Sequence, residues 1–271
     1  MKYVLLIIFV LAVSILIPII TFFIIEKVRN KKFKRWIKGI IIPFSSLAIA
    51  SIIVLTYLSI HYSAEKVVDD YLKSDNEVEV IKKNDYYLFD NKINTDKAII
   101  FYGGAKVEEK SYAPLLNKIA HYNIDVFLMK MPFHIAILKQ NSADIVMKNY
   151  SYSSPYLMGH SLGGAVASLY LNKTDYNFKG IIFLASYSTK KIDDSLSSLS
   201  IYGSNDGVLN KKEYAKNKSN FSLNHKEVII EGGNHANYGY YGKQNKDKEA
   251  SIEKEKQIEI TKEEVITFIN K

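Results

Sequence analysis

The stretch "YLMGHSLGGAVASLY", residues 156–170, places one serine at the centre of a glycine-bracketed corner. An apolar run precedes the corner and an alanine-rich segment follows it, so the sequence predicts a strand, a sharp turn and a helix over Leu162–Leu171. Gly159 and Gly163 complete the pattern Gly-x-Ser-x-Gly around Ser161. In that context the pattern is typical of a nucleophilic serine on a strained turn, although a tight turn without chemistry has the same outline.

A serine hydroxyl is a weak nucleophile until a base removes its proton and a carboxylate orients that base. In folds that carry this corner, the acid and the histidine come later in the chain, each just after a strand. Asp206 lies in "GSNDG" after the predicted strand "LSIY", and His235 lies in "GGNH" after the predicted strand "KEVII". The sequence therefore predicts a triad of Ser161, Asp206 and His235. Asp193 and Asp194 are rival acids, but no such turn precedes them.

Acyl transfer also needs two N–H groups that point at the oxyanion of the intermediate. The amide of Leu162, which opens the helix after the serine, is expected to be one of them. The second is expected from "FYGGAKV", where Gly103 and Gly104 let the backbone approach a substrate, and the candidates are the amides of Gly104 and Ala105. The alternative is that the two glycines only end a strand.

Apolar strands alternate with helical segments through most of the chain. A hairpin is predicted around Lys82–Asp85, and "SYAPLLNKIAHY" has helical spacing with Ser111 as its N-cap. An amphipathic helix is predicted over Thr261–Asn270. Continuous apolar strands between helices indicate an α/β domain with a mostly parallel sheet and helices on both faces.

The amino-terminal region has a different composition. Tyr3–Ile25 and Gly39–Ile60 are uncharged runs of 23 and 22 residues, and each is close to the roughly 20 residues that span a bilayer as a helix. We predict a membrane hairpin over residues 1–60, a stem or linker over 61–76 and the α/β domain over 77–271. A cleaved signal peptide and a pair of buried core helices are the alternatives, but no clear cleavage site follows the first run.

Charge is concentrated in the same region. The chain carries a net charge of +8, of which the first 60 residues contribute +7 (eight Lys and Arg against one Glu), so the rest of the chain has no basic surplus for nucleic acid. Six basic residues lie in "EKVRNKKFKRW" between the two apolar runs. Short basic loops stay in the cytoplasm, so this pattern predicts two spans with both termini and the α/β domain outside it. The absence of cysteine excludes disulfides and thiolate catalysis, and no metal or cofactor is expected.

Six segments together resemble a known family. They are "FYGGAKVEEKSYAPL", "VFLMKMPFHIAIL", "MGHSLGGAVAS", "IIFLASYS", "LSIYGSNDG" and "EGGNHANYGYYG", and they span about residues 97–242. This part of the chain is similar to the bacterial "alpha/beta hydrolase fold-5" group, which is related to dienelactone hydrolases. The resemblance implies an α/β-hydrolase fold and the same triad. Gly103 departs from the pattern, because the group tends to carry proline there.

The sequence predicts a membrane-anchored serine hydrolase of esterase type, acting on small-molecule, lipid or envelope esters. A transacylase with the same triad and a non-catalytic binding module at the membrane are the alternatives. Only about a dozen residues separate "FLAS" from "LSIYG", so we expect an open site without a bulky cap, shaped by Met131–Leu138. Tyr238, Tyr240 and Tyr241 are expected either to line this site or to pack in the core.

Overall fold

The computed structural model describes the backbone of residues 2–271 and the side chains of residues 7–271, and it divides into two compact units at Ile60. The first unit consists of two helices, α1 (Lys2–Arg29) and α2 (Arg35–Ser59). Both extend past the uncharged runs into the basic residues between them, because helical hydrogen bonding does not depend on apolar side chains. Over Ile7–Arg29 and Arg35–Ser59 these helices are long and apolar enough to cross a membrane.

The single acidic residue of this unit closes the turn between the two helices. The Glu26 carboxylate accepts a hydrogen bond from the Phe33 amide (2.6 Å) and pairs with the Lys38 ammonium (2.7 Å). The carboxylate thus partly offsets the charge of the basic turn.

The second unit is built around an eight-stranded sheet in the order β1-β2-β4-β3-β5-β6-β7-β8. The strands are β1 (Val78–Lys82), β2 (Tyr86–Asn91), β3 (Lys97–Tyr102), β4 (Asp125–Met129), β5 (Ser154–His160), β6 (Gly180–Leu184), β7 (Ser197–Gly203) and β8 (Asn224–Ile230). β1 and β2 form the predicted hairpin, and β2 pairs antiparallel with β4. All pairs from β4 through β3 to β8 are parallel, which confirms the predicted fold class.

Five helices cover this sheet: α3 (Ala113–Ala120), α4 (Ala143–Asn149), α5 (Leu162–Leu171), α6 (Lys211–Lys216) and α7 (Lys254–Ile269). α5 has the predicted bounds, whereas α7 begins seven residues before Thr261. The N-cap assigned to Ser111 is wrong. A 3₁₀ turn over Glu109–Tyr112 precedes α3, and the Ser111 hydroxyl is buried without a hydrogen-bond partner among the described residues.

Alternate side chains of β3 enter two separate cores, as the two-residue period of a strand requires. Ile99 and Phe101 face a core that is shared with α3 and α7. Ala98, Ile100 and Tyr102 face the opposite core, which includes side chains of α4, α5 and α6. Both faces of the sheet are therefore buried, and this explains why the central strands are apolar without alternation.

Residues 61–76, expected as a stem, belong to the second unit. Tyr62 forms an isolated parallel bridge with Val107, and a 3₁₀ helix follows over Lys66–Leu72. Val68 is fully buried in the core on the α3 side of the sheet. Charged residues surround these few apolar ones, so the sequence pattern gave no sign that the segment packs on the domain.

The parallel strands place the predicted chemical groups at one edge of the sheet. Ser161 directly follows β5, Asp206 lies three residues after β7, and His235 lies five residues after β8. The Gly103–Gly104 turn follows β3, next to β5. The carboxyl ends of neighbouring parallel strands form the edge at which α/β proteins bind ligands.

Candidate active site

Ser161 occupies a strained turn between β5 and α5. Its backbone has φ 53° and ψ −125°, a conformation that residues with a side chain rarely adopt. Two hydrogen bonds hold it: the Ser161 amide donates to the Leu184 carbonyl (2.9 Å), and the Ser186 hydroxyl donates to the Ser161 carbonyl (2.7 Å). Strain of this kind persists only where the surroundings fix it, and here they hold one serine at the corner.

The two glycines of the corner are required by close backbone contacts. A Cβ atom at Gly159 would lie 2.5 Å from the backbone nitrogen of Gly164 in α5. A Cβ atom at Gly163 would lie 2.2 Å from the carbonyl oxygen of Tyr102 in β3. Side chains at these positions would push the helix away from the sheet and move Ser161 with it.

Asp206 and His235 form a buried pair on neighbouring loops. The His235 Nδ1–H donates to Asp206 Oδ2 at 2.8 Å, and both residues are at most 3% exposed. The other carboxylate oxygen, Oδ1, accepts the amides of Val208 (2.8 Å) and Leu209 (2.7 Å). Both oxygens of Asp206 are thus fixed, and the carboxylate holds the histidine in the tautomer with its proton on Nδ1.

The second nitrogen of His235 is available as a base. Nε2 is buried and has no hydrogen-bond partner in the part of the chain that the structure describes. The Ser161 hydroxyl does not yet bond to it, although the preceding residue, His160, packs its ring 4.6 Å from the ring of His235. Catalytic hydrogen bonds are often loose before substrate binds and shorten in the complex.

The oxyanion candidates differ in availability. Among the backbone of residues 2–271 and the side chains of 7–271, no hydrogen bond from the amide of Leu162 or Ala105 is found. The Gly104 amide, however, donates to the Tyr112 hydroxyl at 3.0 Å. Gly104 is one of two candidates for the second donor, and in this structure its N–H is engaged by that bond. Leu162 and Ala105 therefore stay the predicted pair of donors.

The rival acids and the three tyrosines lie outside this constellation. Asp193 and Asp194 are exposed, and they bond to Ser195 and Lys191. The side chains of three buried tyrosines pack in the core on the α3 side of the sheet, which favours packing over substrate contact: Tyr238, Tyr240 and Tyr241.

A family model described as "Alpha/beta hydrolase family" matches residues 98–259, which is more than half of the chain. The chain belongs to the alpha/beta hydrolase family. This confirms the resemblance found in the sequence. No curated protein is a significant match.

Solved structures show the same fold at low sequence identity. Est1E from Butyrivibrio proteoclasticus is 16% identical, with a TM-score of 0.51 over 72% of this chain and 100% of that one. A dienelactone hydrolase from Anabaena variabilis is 10% identical, with a TM-score of 0.51 over 71% and 97% of the two chains. A novel esterase from Mycobacterium tuberculosis is 10% identical, with a TM-score of 0.51 over 74% and 96%. At these identities the likeness concerns the fold.

In this hydrolase a buried chain of hydrogen bonds lies beneath the site. His160 Nε2 lies 3.1 Å from the His235 carbonyl oxygen, which can only accept, so Nε2 carries the proton. His160 Nδ1 therefore accepts from the Tyr112 hydroxyl (2.9 Å), which itself accepts the Gly104 amide. Burial and the nearby His235 ring lower the pKa of His160 well below its usual value, which keeps it neutral. This series of hydrogen bonds connects Gly104, beside the predicted oxyanion donor Ala105, to the loop that carries His235.

Tyr112→Phe removes the hydroxyl from the middle of this chain. The Gly104 amide and His160 Nδ1 would then be buried without partners, at a cost of about 1–3 kcal/mol each. We expect a lower melting temperature and about a tenfold lower kcat, because the Gly104 amide, next to Ala105, loses its hydrogen bond to the Tyr112 hydroxyl. Thermal unfolding and ester turnover measure the two effects.

Tyr170→Phe is the matched control, because it removes a buried tyrosine hydroxyl that bonds to Asp144 in the other core. Equal loss of stability with equal kcat in the two variants would show that the Tyr112 chain is only structural.

A second support of the hydrolase site lies in the lysine-rich stretch near the carboxyl terminus. Asp247 accepts the Gly207 amide with Oδ1 (3.0 Å) and the Ala236 amide with Oδ2 (2.9 Å), so one carboxylate joins the acid loop to the histidine loop. Gln257 of α7 exchanges two hydrogen bonds of 2.9 Å with the backbone of Asn234. The charged composition of this stretch is typical of a solvated segment and does not indicate a structural role for Asp247 or Gln257.

Proposed function

We propose that this hydrolase is a membrane-anchored serine esterase that forms an acyl-enzyme on Ser161. The observation that carries the proposal is the buried pair of Asp206 and His235, in which Asp206 bonds to Nδ1 and Nε2 has no partner among the described residues. The pair lies at the same edge of the sheet as Ser161 with its strained backbone. Family membership supports hydrolysis as the reaction class.

In the first half of the reaction, His235 Nε2 takes the hydroxyl proton of Ser161 as its Oγ attacks the ester carbonyl. The carbonyl oxygen becomes an oxyanion, and the amides of Leu162 and Ala105 donate to it. The Asp206 carboxylate stabilises the imidazolium that forms. When the intermediate collapses, the alcohol leaves with the proton from Nε2, and the acyl group remains on Ser161.

In the second half, Nε2 takes a proton from water, and the hydroxide oxygen attacks the acyl carbonyl. The same two amides hold the second oxyanion, and the proton returns to Ser161 Oγ as the acid leaves. Acyl transfer to another alcohol would use the same steps with that alcohol in place of water.

The surroundings of the site support an open entrance. Twelve residues, from Ala185 to Leu196, connect β6 to β7, and the structure assigns no helix among them. A connection of this length leaves the edge near Ser161 without the large cap that would enclose a substrate.

The amino-terminal helices support membrane anchoring. In a soluble protein, apolar helices of this length would be buried, yet their large side chains are exposed, for example Phe9 (65%), Phe23 (67%) and Phe44 (72%). Exposure to lipid satisfies such side chains. The proposal is a multi-pass protein of the cell membrane, with two spans and its α/β domain outside the cytoplasm because the basic turn stays inside.

Fusion of alkaline phosphatase after Lys271 tests this topology, because the reporter is active only outside the cytoplasm. We expect the phosphatase to be active. In a matched fusion, green fluorescent protein replaces the phosphatase after Lys271 and is exported by the same route, and we expect it not to fluoresce. A silent phosphatase together with a fluorescent partner, both stably expressed, would place the domain in the cytoplasm.

A panel of esters tests the reaction class. We expect the full chain in nanodiscs to hydrolyse at least some of the esters in a panel of graded acyl-chain length and to release the free acid. Failure to cleave any ester or thioester in the panel, with the protein folded, would favour the binding module.

A further inference from the structure

The rim loop, residues 131–138, follows β4 and has an unusual surface. Each of its exposed residues is apolar: Pro132, Phe133, Ile137 and Leu138. The last three are 37%, 47% and 53% exposed, and they make up three of the eight large hydrophobic residues that are exposed in the second unit. Scattered exposed apolar residues are common, but a cluster of them marks an interaction site.

The rim loop is held in a strained conformation. Phe133 and His134 both have positive φ values, 51° and 56°. The buried carboxylate of Glu109 accepts the Met131 amide (2.9 Å) and bonds to His134 Nδ1 (2.8 Å). The two hydrogen bonds to Glu109 thus stabilise a strained backbone conformation in which the Phe133 ring is exposed.

The rim loop borders the candidate site. The Lys106 amide, next to the available amide of Ala105, donates to the His134 carbonyl at 2.7 Å. The 3₁₀ helix Ala136–Lys139 packs beside α5, which begins after Ser161.

The rim loop also contacts the chain that continues from the second predicted span. The ring of His61 lies 4.3 Å from the ring of His134, and the Tyr62 amide donates to the Lys106 carbonyl at 2.7 Å. α2 ends at Ser59, so only Ile60 separates it from His61, and the two Cα-to-Cα steps reach about 7 Å at most. The uncharged part of α2, from Gly39 to Ser59, is about 31 Å long as a helix, close to the roughly 30 Å hydrocarbon core, so the proposed span ends near the headgroup boundary at Ser59.

We propose that the rim loop rests on the bilayer that holds the two helices, with Phe133, Ile137 and Leu138 inserted at the boundary between headgroups and acyl chains. The proposal rests on the proposed membrane anchoring. The covalent connection selects a bilayer over a protein partner, because it keeps His61, whose ring contacts that of His134 in the loop, within about 7 Å of the end of α2. The absence of exposed charge along the described loop fits that environment.

Because the sequence has no cysteine, a single introduced cysteine can be spin-labelled without removing others. Ile137→Cys and Leu138→Cys, each with a nitroxide, are placed in the full chain in nanodiscs of phosphatidylcholine and phosphatidylglycerol. Collision rates with oxygen, which enters lipid, and with a nickel chelate, which stays in water, report the depth of each label. Leu223→Cys, 83% exposed just before β8, is the matched label at the opposite edge of the sheet. Phe44→Cys reports the second helix.

The proposal predicts that the oxygen-to-nickel collision ratio at positions 137 and 138 exceeds that at 223 by about fivefold or more and approaches that at 44. Equal ratios at 137, 138 and 223, with a lipid-like ratio at 44, would overturn the rim-loop proposal and leave the anchoring intact. Water-like ratios at all four positions would overturn both. Low collision rates with both reagents at 137 and 138 would show a protein contact and also overturn it.

A second measurement covers the case in which a nitroxide distorts the rim loop. Bimane attached to Phe133→Cys is expected to be quenched by brominated lipids, whereas bimane at Leu223→Cys is not. Equal fluorescence with brominated and ordinary lipids at both positions would contradict the proposal. Neither measurement uses ester hydrolysis, so their results do not depend on whether Ser161 is a nucleophile.

Discussion

Replacing Ser161 with alanine is expected to lower ester turnover on the order of 10⁶-fold, the loss typical of removing a triad nucleophile. The substitution removes the one atom that attacks the carbonyl, while the corner keeps its shape because alanine fits the space of serine. Initial rates with the best ester of the panel measure the effect.

Ser153→Ala is the matched control for this prediction. Its hydroxyl is exposed and bonds to Asp96, next to the amino end of β5, so the same chemical change is made away from the site. We expect Ser153→Ala to retain the wild-type rate. A Ser161→Ala protein within tenfold of wild type would exclude Ser161 as the nucleophile.

Asp206→Asn is expected to lower kcat by about 10⁴-fold, the usual effect of an amide at this place in a triad. The Val208 and Leu209 amides hold Oδ1, so the oxygen of asparagine would stay there and its NH₂ group would face His235 Nδ1. Two donors cannot bond to each other, so the histidine would move its proton to Nε2 and lose its function as a base.

Asp193→Asn and Asp194→Asn are the controls for the acid, because both carboxylates are exposed and bond away from His235: Asp193 to Ser195, and Asp194 to Lys191 and the Leu223 amide. We expect rates within twofold of wild type for both. The reverse ranking, with Asp206→Asn near normal and one of these variants severely impaired, would move the acid to the loop after β6.

The sequence predicted those parts of the fold that depend on the spacing of residues close together in the chain. The bounds of α5 follow from the glycine corner and the apolar spacing behind it, and the β1–β2 hairpin follows from four polar residues between two β-rich runs. The shared position of Ser161, Asp206 and His235 follows from one rule, since parallel strands present their carboxyl ends at one edge.

The supports of the site could not be predicted, because they join residues far apart in sequence. Tyr112 meets His160 across 48 positions, and Asp247 meets Gly207 across 40, with no local pattern to indicate either contact. For the same reason the sequence does not indicate that the Gly104 amide donates to the Tyr112 hydroxyl. Ser111 is near a helix start, but the preceding 3₁₀ turn displaces it from the cap.

The central claim is that Ser161 is a nucleophile activated by His235, and a fluorophosphonate probe tests it most directly. Oγ would displace fluoride from phosphorus and leave a stable adduct, which peptide mass spectrometry locates in the full chain held in nanodiscs. We predict one adduct per chain, on the peptide that contains Ser161, and none in His235→Ala. A folded protein that stays unlabelled, or that carries the adduct on another serine, would contradict the claim.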